Sequence, residues 1–335
     1  MNVKKRILAL VGTTPAEAGY LARTSRARAS PAIALFRGSV MGLMATVFSA
    51  PASAQSIEPR SYSNAPIGAN FVLSGIAHSE GGVSFDPALP VQNPKLNVWS
   101  GYLALARVFE IGGQSATWSL AIPYASLSGE ADFNGQRLSR EQSGVGDVLA
   151  RVALNLYGAP ATDMREFMRY EQDLIVGVSL AVSAPTGAYD SSRVVNIGAH
   201  RWSVKPELGA SQAWGNWVFD AAAAVTFFTD NDDFYGGHVR RQEAIWSLQS
   251  NAIYTFRPAL WASLGATYFR GGRTSIDGGS SNGLQDNWRV GGTLAFPIDR
   301  YQSIKLSASD GVAARTGNNF TLIAVSWQVR WGGGM

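Results

Sequence analysis

The sequence predicts an all-β protein: a closed antiparallel transmembrane β-barrel of about 12 strands, preceded by a cleaved signal peptide. Three observations predict this fold. Side chains alternate in character along most of the chain, short and long connections follow one another in turn, and an export segment lies at the start. Alternation with a period of two is the pattern of a strand whose two faces meet different environments. Its repetition along an exported chain favours a barrel over a soluble sandwich.

The export segment is the first element in chain order. An apolar run, Val40 to Ala50, follows Arg37 and leads to Ala52-Ser53-Ala54, which matches an A-x-A cleavage site before Gln55. The run is shorter than the roughly 20 apolar residues that a membrane-spanning helix needs, although a short membrane anchor is the alternative reading. We therefore expect residues 1–54 to be removed and the mature chain to reside in the outer membrane of a Gram-negative bacterium.

The mature chain divides into an irregular N-terminal segment (55–69), the barrel (70–331) and a short tail (332–335). The segment either stays in the periplasm or folds into the mouth of the barrel. Twelve alternating segments make up the barrel. They are Asn70–His78, Asn97–Phe109, Thr117–Ser128, Asp147–Tyr157, Asp173–Ala184, Arg201–Gln212, Trp217–Phe228, Ala244–Phe256, Trp261–Arg270, Asn287–Pro297, Gln302–Asp310 and Phe320–Trp331.

The last of these strands shows the pattern most clearly. One face carries an unbroken, mainly apolar series: Thr321, Ile323, Val325, Trp327, Val329 and Trp331. The other face becomes more polar and carries a charge: Leu322, Ala324, Ser326, Gln328 and Arg330. Because an open sheet edge has no hydrogen-bonding partner in lipid, we expect this strand to close the sheet against the first strand.

Connection lengths support the same fold. The turns after the second, sixth, eighth and tenth strands are short, whereas the predicted loops 80–96, 129–146, 185–200, 229–243, 271–286 and 311–319 are longer. Short periplasmic turns opposite longer external loops are typical of outer-membrane barrels. The connection 158–172 breaks this rhythm, and its length and charge allow a helical turn.

Tryptophan positions indicate two aromatic belts at the membrane–water interfaces. One set lies near the short-turn ends of the strands: Trp118, Trp214, Trp217, Trp261, Trp327 and Trp331. The other lies at the long-loop ends: Trp99, Trp202, Trp246 and Trp288. Core tryptophans of a soluble protein have no reason to sort by strand end.

Composition excludes several other classes of protein. The 335 residues contain no cysteine, so disulfides and thiolate metal sites are impossible. Seven of the 28 basic and one of the 24 acidic residues lie in residues 1–54, which leaves 21 basic and 23 acidic residues and a net charge of −2 in the mature chain. A nucleic-acid partner is therefore not expected.

Polar side chains on the inward face of the predicted strands are the candidate lumen-lining residues. They are Arg151, Asn155, Lys205, Glu207, Gln249, Asn251, Arg289, Lys305, Gln328 and Arg330. Each either braces the wall within a hydrated network or contacts a passing solute. Other inward positions are small and uncharged, such as Gly177 and Ser179, which suits a passage without a strong field of one sign.

Several blocks resemble the MetA-pathway of phenol degradation family of outer-membrane transporters. The resemblance runs through Tyr62–Phe71, Glu80–Pro87, Ile122–Tyr124, Gly146-Asp147, Asn155–Pro160 and Pro185–Asp190. It implies an outer-membrane channel for passive uptake of small hydrophobic or aromatic compounds, and it brings no binding residues to transfer. The tail, Gly332 to Met335, departs from the usual terminal aromatic of such barrels.

Two alternatives from other classes stay open: a lipid-modifying enzyme within a barrel, and a structural barrel without transport. The enzyme would need a serine nucleophile near a histidine base, yet none of His78, His200 and His238 has Ser or Thr two residues away. Asp230, Asp232 and Asp233 could collect a divalent cation, although simple solvation explains them equally. No cofactor is implied. The expected partners are outer-membrane lipid, lipopolysaccharide, the outer-membrane assembly machinery and a small hydrophobic or aromatic solute.

Overall fold

The computed structural model describes residues 58–82, 91–133, 136–193, 196–279, 283–314 and 319–335. The predicted signal segment lies outside the described residues. Within them the chain forms sixteen β-strands and one short helix. These are β1 (Ala69–Gly82), β2 (Val91–Ile111), β3 (Gln114–Phe133), β4 (Gln136–Val145), β5 (Val148–Tyr157), α1 (Met164–Phe167), β6 (Leu174–Ala184), β7 (Ser203–Trp214), β8 (Trp217–Phe228), β9 (Asn231–Phe234), β10 (His238–Gln242), β11 (Ile245–Arg257), β12 (Leu260–Gly271), β13 (Thr274–Ile276), β14 (Gln285–Pro297), β15 (Gln302–Ala314) and β16 (Asn319–Gly332).

Twelve of the strands form a closed antiparallel ring. The order is β1, β2, β3, β5, β6, β7, β8, β11, β12, β14, β15 and β16, which returns to β1. The first and last strands pair from Ala69 opposite Gly332 to Gly82 opposite Asn319. Closure gives every strand two neighbours, which a barrel in lipid requires. The predicted twelve-stranded barrel and the predicted pairing of its last strand with its first are confirmed.

The fourth wall strand is broken into β4 and β5. Both pair with β3: β5 with Ala116 to Ala121, and β4 with the more distant Tyr124 to Phe133. The prediction of a loop over residues 129–146 is therefore wrong. The alternation gave no sign of β4 because Gln136 to Val145 is polar on both faces, as expected of a strand that projects into water rather than lipid.

Two other predicted loops also contain strands. β9 and β10 arise within residues 229–243 and β13 within residues 271–286, and together they form a separate three-stranded sheet at the long-loop end. Strands of three to five residues are too short to reveal a period. The helical turn allowed in residues 158–172 is α1, which begins with a capping box between Asp163 and Glu166.

The outer face of the barrel is apolar. Nine of the ten tryptophans are exposed there, from 39% for Trp118 to 66% for Trp214, beside exposed aliphatic residues such as Leu264 and Ile323. Trp261 is the exception to the predicted belts. It is only 7% exposed and packs inside the barrel against Val218, Ile253 and Ala295. Its position at a strand end could not reveal which of the two strand faces it occupies.

No helix among the described residues has both the length and the apolar character needed to cross a membrane.

Asp147 holds the connection between β6 and β7 against the wall at the break between β4 and β5. Its Oδ1 accepts a hydrogen bond from Gly187 N and its Oδ2 accepts one from Ala199 N, both at 2.8 Å. The backbones of Gly187 and Gly198 touch, and a β-carbon added at Gly198 would lie 2.7 Å from the Gly187 carbonyl carbon. One carboxylate therefore fixes both ends of this connection.

The variant Asp147→Ala should loosen that connection without opening the barrel. Hydrogen bonds to charged groups contribute about 1.5–3 kcal/mol each, so we expect trypsin to cleave after the exposed Arg193 at least about tenfold faster. Timed digestion of the folded protein measures the rate. Asp299→Ala makes the same change in a turn at the opposite end and should leave it unaltered. Equal rates in Asp147→Ala and wild type would show that Asp147 does not restrain the connection.

Candidate functional site in the barrel interior

The chain before the first strand runs inside the barrel. Residues 58–68, named here the inserted segment, form no helix or strand and enter from the short-turn end. Gly68 N donates to Val108 O at 3.0 Å, Ile67 N to Thr162 O at 2.9 Å, and Asn64 Nδ2 to Pro160 O at 3.1 Å. The sequence allowed this segment either to stay in the periplasm or to fold into the mouth of the barrel, and its described part lies in the barrel.

Tyr62 anchors the inserted segment. Its side chain is 3% exposed, and its ring lies over Gly177 of β6 and Gly209 of β7, which are directly paired. A β-carbon added at Gly177 would lie 2.5 Å from Tyr62 Cδ1, and one added at Gly209 would overlap Cε2. Ala222 of β8 packs beside them. The two paired glycines thus form a flat slot, because neither strand has a side chain there that would occupy the position of the ring. We call Gly177, Gly209 and Ala222 the glycine slot.

An ionic cluster surrounds the Tyr62 hydroxyl. Tyr62 Oη donates to Glu207 Oε1 at 3.0 Å and lies 3.4 Å from Ser179 Oγ. Arg151 Nη2 and Lys205 Nζ contact the two oxygens of Glu207 at 3.4 and 3.2 Å. The Arg151 guanidinium also sits 5.9 Å from the centre of the Tyr62 ring. Three predicted lumen residues, Arg151, Lys205 and Glu207, therefore meet at one point.

Arg60 attaches the segment to the next strands of the wall, β8 and β11. Its backbone N donates to Asp220 Oδ2 and its Nη2 to Thr255 Oγ1, both at 2.7 Å. Its guanidinium lies 5.2 Å from the ring centre of the buried Trp261. Burial lowers the pKa of Arg60, and the nearby Asp220 carboxylate opposes that shift. The segment is consequently held along the consecutive strands from β5 to β12.

The other predicted lumen residues also lie on inward-facing strand positions, but they do not all reach this site. Asn155 Nδ2 donates to Ser63 O at 3.4 Å and to Ser115 Oγ at 2.9 Å, and Gln249 Nε2 donates to Glu58 O at 3.0 Å. Asn251 is 4% exposed beside the segment, and Lys305 Nζ lies 5.9 Å from the ring centre of Trp261.

Three predicted residues stand apart from the inserted segment. Arg289 is bound to Ser309 Oγ and to the carbonyl of Phe320 in the outer half of the barrel. Arg330 donates to the carbonyl of Arg300 in a turn at the short-turn rim. Gln328 is half-buried on the inward face of β16.

Little free space remains beside Tyr62. A cavity of about 20 Å³, lined in part by Tyr62, Lys205, Glu207 and Asn251, has room for about one water molecule. A larger cavity of about 470 Å³ lies at the long-loop end, between β4 and residues 188–193. Of these two cavities, the smaller therefore lies beside the inserted segment and the larger lies towards the loops.

Two arginines are buried at the long-loop end. Arg201 and Arg240 are 3% and 1% exposed, and each guanidinium faces an aromatic ring, Phe228 and Phe234 respectively. Burial lowers the pKa of Arg201 to about 9, with a smaller contribution from Arg240, and burial lowers the pKa of Arg240 to about 10. Both remain charged at neutral pH.

The three histidines occupy separate places. His78 packs at a tilt against Trp99 with ring centres 4.6 Å apart, and His200 stacks on Tyr189 with ring centres 4.5 Å apart. His238 Nδ1 lies 2.5 Å from Asp277 Oδ2 near the small sheet. Asp230 forms an ion pair with Arg241 at 2.9 Å. In the described part of the chain, no three His, Asp or Glu side chains are close enough to share a metal ion.

Sequence reasoning missed Tyr62, Arg60 and Asp220. Tyr62 and Arg60 lie in a segment without periodicity, so no sequence pattern could predict the direction of their side chains. Asp220 did leave a signal, because it is the one charged residue in the mainly apolar strand β8. Gly177 and Ser179 were recognised as small lumen positions, but not as the floor of a site.

Titration of Tyr62 should report its burial. Burial raises the pKa of Tyr62 to about 12, whereas an unfolded tyrosine titrates near about 10. Because the raised value belongs to the folded state, the stability that the neutral phenol supplies is present below pH ~10 and is lost as the pH rises through ~12. The tyrosinate absorbance of wild type minus that of Tyr62→Phe isolates this group. A difference curve centred near 10 would contradict the buried position.

The geometry defines the class of protein. A closed barrel with an aliphatic and tryptophan-rich exterior and a polar interior, with short turns at one end and longer connections at the other, is an outer-membrane β-barrel of a Gram-negative bacterium. The model of the family described as MetA-pathway of phenol degradation matches residues 75–329. The chain belongs to this family, as its sequence blocks predicted.

One solved structure shares the fold, and two others show a weaker likeness. An outer membrane channel from Pseudomonas putida F1 is similar with a TM-score of 0.70 at 20% identity, over 82% of this chain and 100% of that chain. The transport unit of the autotransporter AIDA-I from Escherichia coli matches with a TM-score of 0.49 at 10% identity, over 88% and 97%. The CymD monoaromatic hydrocarbon channel matches with a TM-score of 0.42 at 8% identity, over 81% and 90%. No curated protein matches the sequence.

Proposed function

We propose that the protein is an outer-membrane channel for passive uptake of small hydrophobic or aromatic compounds. One observation carries the proposal: the side chains of the wall do not fill the interior, which instead accommodates the inserted segment with the whole side chain of Tyr62. Barrels of about eight strands are filled by their own side chains, whereas those of 16 or more hold water. A twelve-stranded wall whose interior is occupied by a displaceable segment suits a narrow passage.

Two further facts support this function. The family is associated with phenol degradation, and the Pseudomonas putida protein of the same fold is an outer membrane channel. The void beside Tyr62 has room for about one water, so an aromatic solute passes only when the inserted segment is displaced. Passage follows the gradient and involves no chemistry or cofactor. The apolar exterior contacts lipid and lipopolysaccharide, and the assembly machinery inserts the barrel.

Flux into liposomes tests the proposal. Phenol itself crosses bare lipid, so the probes are benzoate and a sugar of similar size. Arg151, Lys205 and Glu207 together carry one net positive charge, and an aromatic anion can therefore pass them. We expect benzoate to enter faster than the sugar. Equal rates would indicate a general narrow pore, and no flux of either through a folded barrel would refute a channel.

Arg151→Ala and Lys205→Ala should each change flux without preventing assembly. Either substitution removes one of two cations that hold Glu207, which weakens the attachment of Tyr62 and alters the charge that benzoate meets. We expect a change of about three- to tenfold, from charged hydrogen bonds of about 1.5–3 kcal/mol partly compensated by the remaining cation. Arg165→Ala, on the exterior helix α1, is the matched control. Unchanged flux in both variants would remove these residues from the path.

A further inference from the structure

The side chain of Tyr62 is itself a phenol, and every group that holds its ring and hydroxyl belongs to the barrel wall. Gly177 and Ser179 lie on β6, Lys205, Glu207 and Gly209 on β7, and Arg151 on β5. We infer that this place is a binding site for small phenolic solutes, which Tyr62 occupies when no solute is present. The inference rests on the proposed function, because a solute reaches the site only by entering the lumen.

The floor of the site selects a flat ring. The glycine slot offers backbone and one methyl group where neighbouring inward positions carry side chains, so its width is set by Gly177 and Gly209. A planar ring can lie on two paired glycines, whereas a bulkier saturated ring meets the adjoining strands. The Arg151 guanidinium, 5.9 Å from the ring centre, adds a cation–π contact that an aromatic ring can use and a saturated one cannot.

The polar end of the site selects a hydroxyl. Glu207 is oriented by Arg151 and Lys205 and accepts the Tyr62 hydroxyl at 3.0 Å. A phenol supplies the same donor at the same distance from its ring. An aromatic hydrocarbon leaves this carboxylate oxygen without that donor, and a buried polar group that loses a partner weakens binding. The ligand class is therefore a monocyclic phenol with a small or absent para substituent.

Occupancy by Tyr62 makes the segment and the solute competitors. A phenol bound on the glycine slot excludes the Tyr62 ring, and the segment then loses its main buried contact with β6 and β7. Solute binding therefore favours the displaced segment, and a displaced segment favours solute binding, as linkage requires. The wall supplies the site in both states.

The experiment uses the full mature chain in detergent micelles with the variant Tyr62→Ala, which vacates the site. The probe is 4-fluorophenol, followed by ¹⁹F NMR. We expect a saturable bound signal in Tyr62→Ala that p-cresol, the analogue of the whole tyrosine side chain, displaces. Adding Glu207→Gln should weaken binding about tenfold, the effect of removing a charged acceptor. Adding Gly209→Val should abolish binding by filling the slot.

Tyr170→Ala is the matched control, because Tyr170 donates to Gly158 O at 2.6 Å outside the barrel interior. Partition of the probe into micelles affects this variant equally and does not saturate. A signal in Tyr62→Ala identical to that in Tyr170→Ala, or one unaltered by Gly209→Val, would overturn the inference. Heat-dependent mobility on gels establishes that each barrel is closed.

If Tyr62→Ala does not assemble, Tyr62→Phe replaces it. Loss of the hydroxyl weakens the hold of the segment, so 4-fluorophenol should bind about tenfold more tightly than to wild type; equal affinity would count against the site. The liposome experiment stays independent of this one. Binding without flux would support the phenol site and refute the channel function. Flux without binding would support the channel function and refute the phenol site.

Discussion

Replacement of Tyr62 by alanine should raise benzoate flux through the barrel by at least about tenfold. Large-to-small changes of a buried aromatic residue reduce stability by about 3–5 kcal/mol. Here the change weakens the docking of the inserted segment, because the segment makes its most buried contact with the wall through Tyr62. About 1.4 kcal/mol corresponds to a tenfold change in an equilibrium. The undocked population should therefore rise steeply. Liposome flux at matched protein incorporation measures the change.

The barrel itself should be unaffected by this substitution, since its twelve strands are joined by backbone hydrogen bonds that do not involve the segment. Tyr170→Ala serves again as the control and should leave flux at the wild-type level. Flux in Tyr62→Ala no greater than in this control would mean that the docked segment does not limit passage.

The variant Gly209→Ala should raise flux as Tyr62→Ala does, though by less, and it adds atoms instead of removing them. The new methyl group would overlap the Tyr62 ring, and overpacking of this kind costs about 1–3 kcal/mol. The wall strand cannot yield without breaking its pairing, so the flexible segment should give way. We expect flux to rise about three- to tenfold, from part of that cost.

A matched glycine provides the control. A β-carbon added at Gly101 of β2 finds its nearest atom at 3.5 Å, an ordinary contact, so Gly101→Ala should leave flux unchanged. The double variant with Tyr62→Ala gives a further check. Once the ring is gone the added methyl has nothing to displace, and Gly209→Ala should then have no additional effect. Additive effects of the two substitutions would mean that Gly209 acts without Tyr62.

The sequence predicted the wall well because lipid imposes a strict pattern on it. Each strand must present an apolar face outward and close its hydrogen bonds with neighbours, so the alternation in Phe320–Trp331 revealed both the strand and its outward side. The inward positions followed from the same parity, which is why Arg151, Lys205 and Glu207 could be selected together. Parity alone could not show that they meet around one hydroxyl.

The parts that sequence reasoning missed lack such a constraint. β4 pairs with the part of β3 that lies beyond its pairing with β5, and its sequence is mainly polar, so no apolar series marks it. The inserted segment has no period at all, and its path depends on contacts with strands more than one hundred residues away, such as that of Tyr62 with Glu207. Trp261 lies near a strand end, like the other tryptophans of the predicted aromatic belts, but its side chain faces the barrel interior.

Small aromatic solutes are expected to pass through the space that the inserted segment occupies. A disulfide that fixes the segment in place tests this route, since the chain has no cysteine of its own. Arg60→Cys with Asp220→Cys is a suitable pair, because the backbone N of residue 60 lies 2.7 Å from the side chain of residue 220 and disulfides join Cα atoms about 4.4–6.8 Å apart. Each single cysteine variant is the control.

The measurement is benzoate flux into liposomes with the double-cysteine protein, first oxidised and then reduced. We expect flux in the cross-linked protein to fall to that of protein-free liposomes and to return on reduction, while the single variants do not respond. A fully cross-linked barrel that carries benzoate as fast as its reduced form would show that the solute travels by a route that the inserted segment does not block.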